Sequence, residues 1–406
     1  MNNRTRVLVI NSFGGGGAER QFSILANSLH FDHIICLENE NTFVDISQHP
    51  ITFLTQQTSA TSSLLKYIFV PIYAFKLFQA LKKIENPIVL TVLERSHLAV
   101  FLLSFFKKLE YVMCFQVSHE SHYKSITGKI LKFIFKYCCL RSKKIVSNSA
   151  VGAQEIITHY HVSENKVSFI PNGYDFNEIN TRGLLTHETP FPELLSQNYI
   201  LCVARFFEQK AQDKLIVAFS AIKQSKPSNL KLVFAGLGDR LPFCIQLSKS
   251  LQLRTFVLGE NDYNDDYDVY FLNFQKNPLV LMKHASLFAF PTYYEGLPNA
   301  LIEAMISGAV PIVSDCPTGP REILTQHANG GVAVENTVTK VGILTPPFHS
   351  SKDDDKQDIE HWSKAINLLM EDADLLESCK RNLPDSVARF NISLIQKEWE
   401  NLISKL

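Results

Sequence analysis

Two carboxylates eight residues apart, Glu295 and Glu303, lie in the run Tyr294-Glu295-Gly296-Leu297-Pro298-Asn299-Ala300-Leu301-Ile302-Glu303-Ala304-Met305. The apolar stretch Ser286 to Pro291 reads as a buried parallel strand, Gly296 and Pro298 turn the chain, and Asn299 to Ser307 has helix-forming composition. Glu295 is therefore expected at the carboxyl end of a strand and Glu303 inside the helix that follows. Backbone N–H groups at such a helix start favour an anion, which makes Gly296, Leu297 and Asn299 candidate donors to a diphosphate. Glu303 is a candidate acceptor for two vicinal ribose hydroxyls, since each oxygen of a carboxylate takes one. The pattern suits a nucleotide sugar. Taken alone, each glutamate could equally be an ordinary turn or helix-face charge.

A second pair is cationic. Arg205 ends the apolar strand Tyr199 to Ala204, and Lys210 follows just before a helix expected over Ala211 to Ser225. Two positive charges at a strand's carboxyl end are what a departing nucleoside diphosphate needs when no metal is present. Surface salt bridging would explain either residue alone.

The glycines Gly14 to Gly17 follow the first strand and precede a helix beginning near Ala18. They do not form a dinucleotide fingerprint, because Glu19 stands where G-x-G-x-x-G needs its third glycine. Gly15 and Gly16 instead suggest a loop whose bare backbone approaches a phosphate or an incoming acceptor, with a tight strand-to-helix turn as the alternative. His119, His122 and His97 are candidate proton relays, and His119 and His122 directly follow the strand Tyr111 to Val117.

These residues need a scaffold, and the chain supplies alternating strand and helix patterns throughout. Strands are expected at Val7 to Ile10, His33 to Leu37, Ile88 to Val92, Tyr111 to Val117, Lys144 to Asn148 and Lys166 to Ile170. A weakly periodic linker, Tyr174 to Asn198, precedes a second set at Tyr199 to Ala204, Leu230 to Ala235, Ser286 to Phe290 and Val310 to Ser314. Two acidic insertions, Glu260 to Asp268 and Asp353 to Asp358, read as solvated loops. Asp385 to Leu406 reads as one amphipathic helix.

With 406 residues and 46% hydrophobic content, the chain has material for two cores, which excludes a disordered or fibrous class. The domains are expected at 1–185 and 186–384, with a terminal helix at 385–406. The eight cysteines show no C-x-x-C pair and no metal-ligand spacing, so reduced core thiols and no bound metal are expected. Arg4-Thr5-Arg6 leads directly into the first strand without a signal-peptide pattern, which points to the cytoplasm.

The net charge is zero, yet residues 50–150 hold fourteen Lys or Arg against four Asp or Glu. The segments Leu64 to Lys76 and Gly128 to Tyr137 mix cations with apolar residues, and neither has the run of about 18 apolar residues a spanning helix requires. They read as a surface drawn to an anionic membrane leaflet, or else as core-facing helices with lysines outside. No nucleic-acid module accompanies the basic region.

The run from Asn277-Pro278 through Glu295 and Glu303 to Asp315-Cys316-Pro317-Thr318-Gly319-Pro320-Arg321-Glu322 resembles retaining glycosyltransferase family 4. The resemblance extends to Gly15-Gly16-Gly17-Ala18-Glu19-Arg20, Ile170-Pro171-Asn172-Gly173, Arg205 with Lys210, and Phe234-Ala235-Gly236-Leu237-Gly238-Asp239, and so covers nearly the whole chain. The Asp-Cys-Pro-Thr-Gly-Pro-Arg-Glu version is similar to the branch that builds bacterial surface glycans (capsule, O-antigen or similar) from UDP-sugars.

The family implies a GT-B fold, an α/β architecture of two facing Rossmann-like domains with parallel sheets, in which the terminal helix crosses back to the first domain. It also implies a metal-independent transfer of a hexose or N-acetylhexosamine from a UDP-sugar to a glycan acceptor, lipid-linked in this branch. Arg205 and Lys210 would hold the diphosphate, Glu303 the ribose and Glu295 the donor sugar, with the acceptor entering past Gly15, Gly16 and His119. One departure is Lys210-Ala211, where the family has lysine-glycine. A UDP-sugar epimerase of the same fold and a non-catalytic sugar-nucleotide-binding scaffold remain as alternatives.

Overall fold

The computed structural model describes residues 4–41, 49–58, 63–116, 126–226, 228–327, 332–348 and 355–406. The chain forms two compact units, Met1–Tyr174 with Phe390–Leu406, and Asp175–Arg389.

The first unit is built on a seven-stranded parallel sheet of β1 (Arg6–Ile10), β2 (His33–Cys36), β3 (Ile51–Phe53), β4 (Ile88–Val92), β5 (Glu110–Phe115), β6 (Lys144–Ser147) and β7 (Val167–Phe169), in the order β3-β2-β1-β4-β5-β6-β7. Strand side chains alternate between faces, and both faces here are apolar. Val7, Val9, Val89 and Met113 meet the helices Val70–Leu81, Glu94–Leu103 and Ile126–Arg141. Leu8, Ile10, Leu90 and Val112 share the other core with Phe22 of the helix Gly17–Ser28 and with Ile395, Trp399 and Ile403 of the helix Ile392–Ser404. The last three recur every fourth residue, so one stripe of the terminal helix is buried.

The second unit carries β8 (Tyr199–Val203), β9 (Lys231–Ala235), β10 (Thr255–Val257), β11 (Val269–Phe271), β12 (Leu287–Phe290), β13 (Val310–Ser314), β14 (Thr337–Val338) and β15 (Ile343–Thr345). Their order is β10-β11-β9-β8-β12-β13-β15-β14, parallel apart from the β14–β15 pair. After β8 the chain adds β9 and the edge strand β10 on one side, lays β11 between them, then returns to the other side with β12. The boundary between β8 and β12 is thus a topological switch point, where open α/β sheets bind ligands at the carboxyl ends of their strands.

Several expectations need correction. The first boundary lies after Tyr174 and not at 185, because the helix Phe176–Gly183, capped by Asp175, packs on helices of the second unit. The second lies at Arg389/Phe390 and not at 384. The helix Ala373–Val387 runs through Pro384, held by buried Cys379, Leu383 and Val387, and the terminal helix starts afresh behind an Asn391 cap.

The insertion Glu260 to Asp268 is more than a solvated loop. Tyr263 stacks on Phe191 at 4.7 Å, and buried Asp268 takes hydrogen bonds from Arg254 and an ion pair from Lys223 at 2.8 Å. Asp358, assigned to the other insertion, is buried in the helix Asp355–Glu371. All eight cysteines are buried and free.

Candidate active site

The motif residues of the second unit converge on its switch point. Arg205 to Lys210 leave the end of β8, and Thr292 to Pro298 leave the end of β12. The helix Asn299–Ser307 starts after Pro298 with no side-chain cap, which leaves its amino terminus to backbone donors. Leu297 is buried and Gly296 half-buried in the turn before it.

Glu295 is held from several sides. Lys210 Nζ lies 2.5 Å from Oε1, Thr292 Oγ1 donates to the same oxygen at 2.7 Å, and Gln209 Nε2 stands at 3.5 Å. The Thr318 hydroxyl donates to the Glu295 carbonyl. Thr292 is itself locked to Ser314 at the end of β13, its N–H donating to Oγ at 3.0 Å while that hydroxyl donates back to its carbonyl. Lys210 Nζ also sits 4.9 Å from the centre of the Phe290 ring. Glu295 and Lys210 are 9% and 16% exposed at their side chains, so the pair is largely shielded from water. All three of these side-chain donors meet the carboxylate at Oε1.

Arg205 is exposed, its guanidinium 5.0 Å from the centre of the Phe207 ring. The backbone around it is fixed by the neighbouring strand. Gly236 follows β9, and a Cβ there would fall 2.0 Å from the Ala204 carbonyl oxygen, a contact only glycine permits. Ala211, at the departure from lysine-glycine, has φ +44°, the left-handed conformation that glycine takes more easily.

Glu303 is 3% exposed on the second turn of its helix. The Asp315 carboxylate is buried at the end of β13 and takes two bonds from Arg321, one of them at 3.0 Å. That pair fixes the start of the helix Pro320–Thr325 beside the Glu295 turn. Gly319, φ +87°, lets it come close, since a Cβ there would lie 2.3 Å from the Gly296 carbonyl oxygen.

In the first unit the glycine run borders carboxylates. A Cβ at Gly14 would meet the Glu40 carboxylate at 3.0 Å, and one at Gly16 would lie 2.2 Å from Glu19 Oε2. Gly15 has φ +96° and Gly16 caps the helix Gly17–Ser28. Two carboxylates beside a bare loop disfavour a phosphate and suit hydroxyl groups. His119 and His122 lie outside the described residues. His97 belongs to the core instead: it is buried, Thr91 Oγ1 lies 2.6 Å from Nδ1, and burial pushes its pKa down to about 3.

Sequence reasoning missed Thr292, Gln209, Thr318 and Ser314. Hydroxyl and amide residues in loops are common, and their contacts here join segments that are distant in sequence.

Residues 188–341 match the family model described as glycosyl transferases group 1. An uncharacterized glycosyltransferase of Methanocaldococcus jannaschii is 30% identical over 293 residues, 70% of this chain and 69% of that protein. The chain belongs to this glycosyltransferase family. A second relative, from Campylobacter jejuni, is the N-acetylgalactosamine-N,N'-diacetylbacillosaminyl-diphospho-undecaprenol 4-alpha-N-acetylgalactosaminyltransferase, 26% identical over 78% of this chain and 82% of its own length. Among solved structures, Anabaena HepE in complex with UDP aligns with a TM-score of 0.75 at 17% identity, covering 99% of this chain and 100% of that one. The fold of this glycosyltransferase is accordingly GT-B, and the elements that carry its motifs are those of the second parallel sheet.

Proposed function

We propose that this glycosyltransferase moves a hexose or N-acetylhexosamine from a UDP-sugar to a lipid-linked glycan acceptor in bacterial surface-polysaccharide synthesis, with retention at the transferred carbon and without a metal. The observation that carries the reading is the cation–carboxylate cluster at the β8/β12 switch point: Arg205 and Lys210 on one loop, Glu295 and the helix of Glu303 on the next.

In this reading the diphosphate lies against Arg205, Lys210 and the backbone donors of Gly296, Leu297 and Asn299, and Glu303 takes the ribose hydroxyls. Lys210 exchanges its bond to Glu295 for one to the diphosphate. Glu295, still held by Thr292, turns its other oxygen to the donor sugar. The bond between the anomeric carbon and the phosphate oxygen breaks with its electron pair leaving on UDP. The acceptor hydroxyl attacks from the same face and gives its proton to the departing phosphate. Gly15 and Gly16 belong to the acceptor side, where Glu19 and Glu40 favour a hydroxylated ligand, and His119 is given an acceptor role by the family resemblance alone. The basic first unit would bring such an acceptor within reach at an anionic membrane surface. Support for the acceptor class comes from the Campylobacter relative, whose name specifies an undecaprenyl diphosphate glycan.

The test is product analysis with a panel of UDP-sugars, with and without an extracted lipid-linked glycan fraction. Sugar transferred only when the lipid fraction is present supports the reading. Interconversion of the UDP-sugar without acceptor would identify an epimerase, and nucleotide binding with no turnover would identify a scaffold.

A further inference from the structure

The first unit exposes apolar side chains on one side of its sheet and almost none on the other. On the helices Ser63–Ile68 and Val70–Leu81, Leu65, Ile68, Ile72 and Phe75 are exposed; on Ile126–Arg141, Ile130, Phe133, Tyr137 and Leu140 are exposed. Both sets have the same spacing of three, four and three residues, one stripe along a helix. Each stripe lies roughly half a turn from the core-facing residues of its helix, Tyr73, Leu77 and Leu81 in one case and Phe135, Cys138 and Cys139 in the other. The two helices flank Glu94–Leu103, whose end carries Phe105 and Phe106, the latter 82% exposed. Across the sheet, the helices Gly17–Ser28 and Ile392–Ser404 expose only Leu394 among the large apolar residues described.

Charge identifies what such a face meets. Residues 63–83, 95–109 and 126–144 hold four, three and six Lys or Arg and no Asp or Glu. Lys129, Lys132 and Lys136 run along one flank of the second stripe, where a lysine stem can lie on apolar surface while its head reaches outward. Lys66 and Arg95 pair with Glu38 inside the unit and Lys143 pairs with Glu110, but the other ten cations of these segments outnumber the carboxylates Glu85, Glu94 and Glu110 beside them. A protein partner could use the apolar stripes, whereas that excess of positive charge matches a surface of negative charge over hydrocarbon. No helix among the described residues is long and apolar enough to cross a membrane.

We infer that this three-helix face seats the protein on an anionic bilayer by inserting Ile68, Ile72, Phe75, Phe106, Phe133 and Tyr137 between headgroups, with the flanking lysines on lipid phosphates. The inference deepens the lipid-linked-acceptor reading: the bilayer is held by apolar insertion as well as by charge.

The experiment is co-sedimentation of the full chain with vesicles of equal parts phosphatidylglycerol and phosphatidylcholine, and with phosphatidylcholine alone. Binding should favour the anionic vesicles. The double variant Phe75→Ser, Phe133→Ser should lower it on the order of a hundredfold, about tenfold for each ring withdrawn. The triple variant Lys129→Gln, Lys132→Gln, Lys136→Gln should lower it comparably at low salt. Wild-type binding that salt abolishes and the phenylalanine variant retains would overturn insertion. A dimer in sedimentation equilibrium that the phenylalanine variant dissolves, without vesicle binding, would assign the face to a second copy. UDP titration of the same samples separates the two claims. UDP binding without vesicle binding overturns the docking face alone; vesicle binding without UDP binding supports the face and counts against the donor reading.

Discussion

Thr292→Val removes one hydroxyl from the centre of the candidate site and changes little else. Valine keeps the branched shape, and the backbone lock to Ser314 does not involve the lost oxygen. What disappears is the 2.7 Å donation to Glu295 Oε1. A hydrogen bond to a charged group contributes about 1.5–3 kcal/mol. With the donor bound Lys210 has moved to the diphosphate and Gln209 stands at 3.5 Å, so Thr292 is the main donor left on that oxygen and the whole range applies. If Glu295 orients the donor sugar, its freed rotation should lower kcat by about 10- to 150-fold. UDP affinity should hold, since Thr292 faces the glutamate and not the nucleotide clamp. Thr292→Ser should recover most of the activity. Steady-state kinetics with the accepted UDP-sugar and calorimetric titration of UDP give both numbers. An unchanged kcat, or a loss of UDP affinity as large as the loss of kcat, would refute the positioning role.

Gly319→Ala places a Cβ against the Gly296 carbonyl oxygen in a left-handed backbone. It should cost about 2–5 kcal/mol in equilibrium unfolding with denaturant, and a cost under 1 kcal/mol would contradict the close packing of these two turns. His97, neutral in the fold with a pKa near 3, titrates near 6.5 once unfolded. The unfolded state therefore binds the extra proton, and stability present above pH 6.5 should fall as pH drops toward 3, by about 2–3 kcal/mol at pH 4.5. His97→Asn should be less stable near neutrality but flatter over this window; parallel stability–pH curves for the two proteins would assign the acid sensitivity elsewhere.

The elements that could be read from sequence are those whose signal is local. Ile88–Val92 and Val310–Ser314 are continuous apolar runs, and the Pro298 turn marks the start of Asn299–Ser307, so all three lie where their residues put them. The strands Ile51–Phe53, Thr255–Val257 and Val269–Phe271 have three residues each, too few for an alternating pattern. The boundary expected at 384 falls inside a helix, where packing of Leu383 and Val387 holds the turns on both sides of Pro384 together. Asp268 looked solvated because its neighbours are acidic, whereas its cations Arg254 and Lys223 come from other segments. The site divides the same way. Arg205, Lys210, Glu295 and Glu303 stand out by type and spacing. Thr292 and Gln209 act through contacts made only once β8 and β12 pair, and two exposed stripes on one face of a sheet are invisible until the helices are placed.

The central claim is a UDP-sugar site at the β8/β12 switch point, and calorimetric titration of UDP into wild type, Glu303→Ala and Glu295→Ala tests it most directly. UDP should bind the wild type. Loss of the ribose acceptor in Glu303→Ala should weaken it about 10- to 100-fold, whereas Glu295→Ala, which frees Lys210 for the diphosphate, should bind UDP at least as well as wild type. No UDP binding by the wild type, or the opposite ranking of the two variants, would contradict the account.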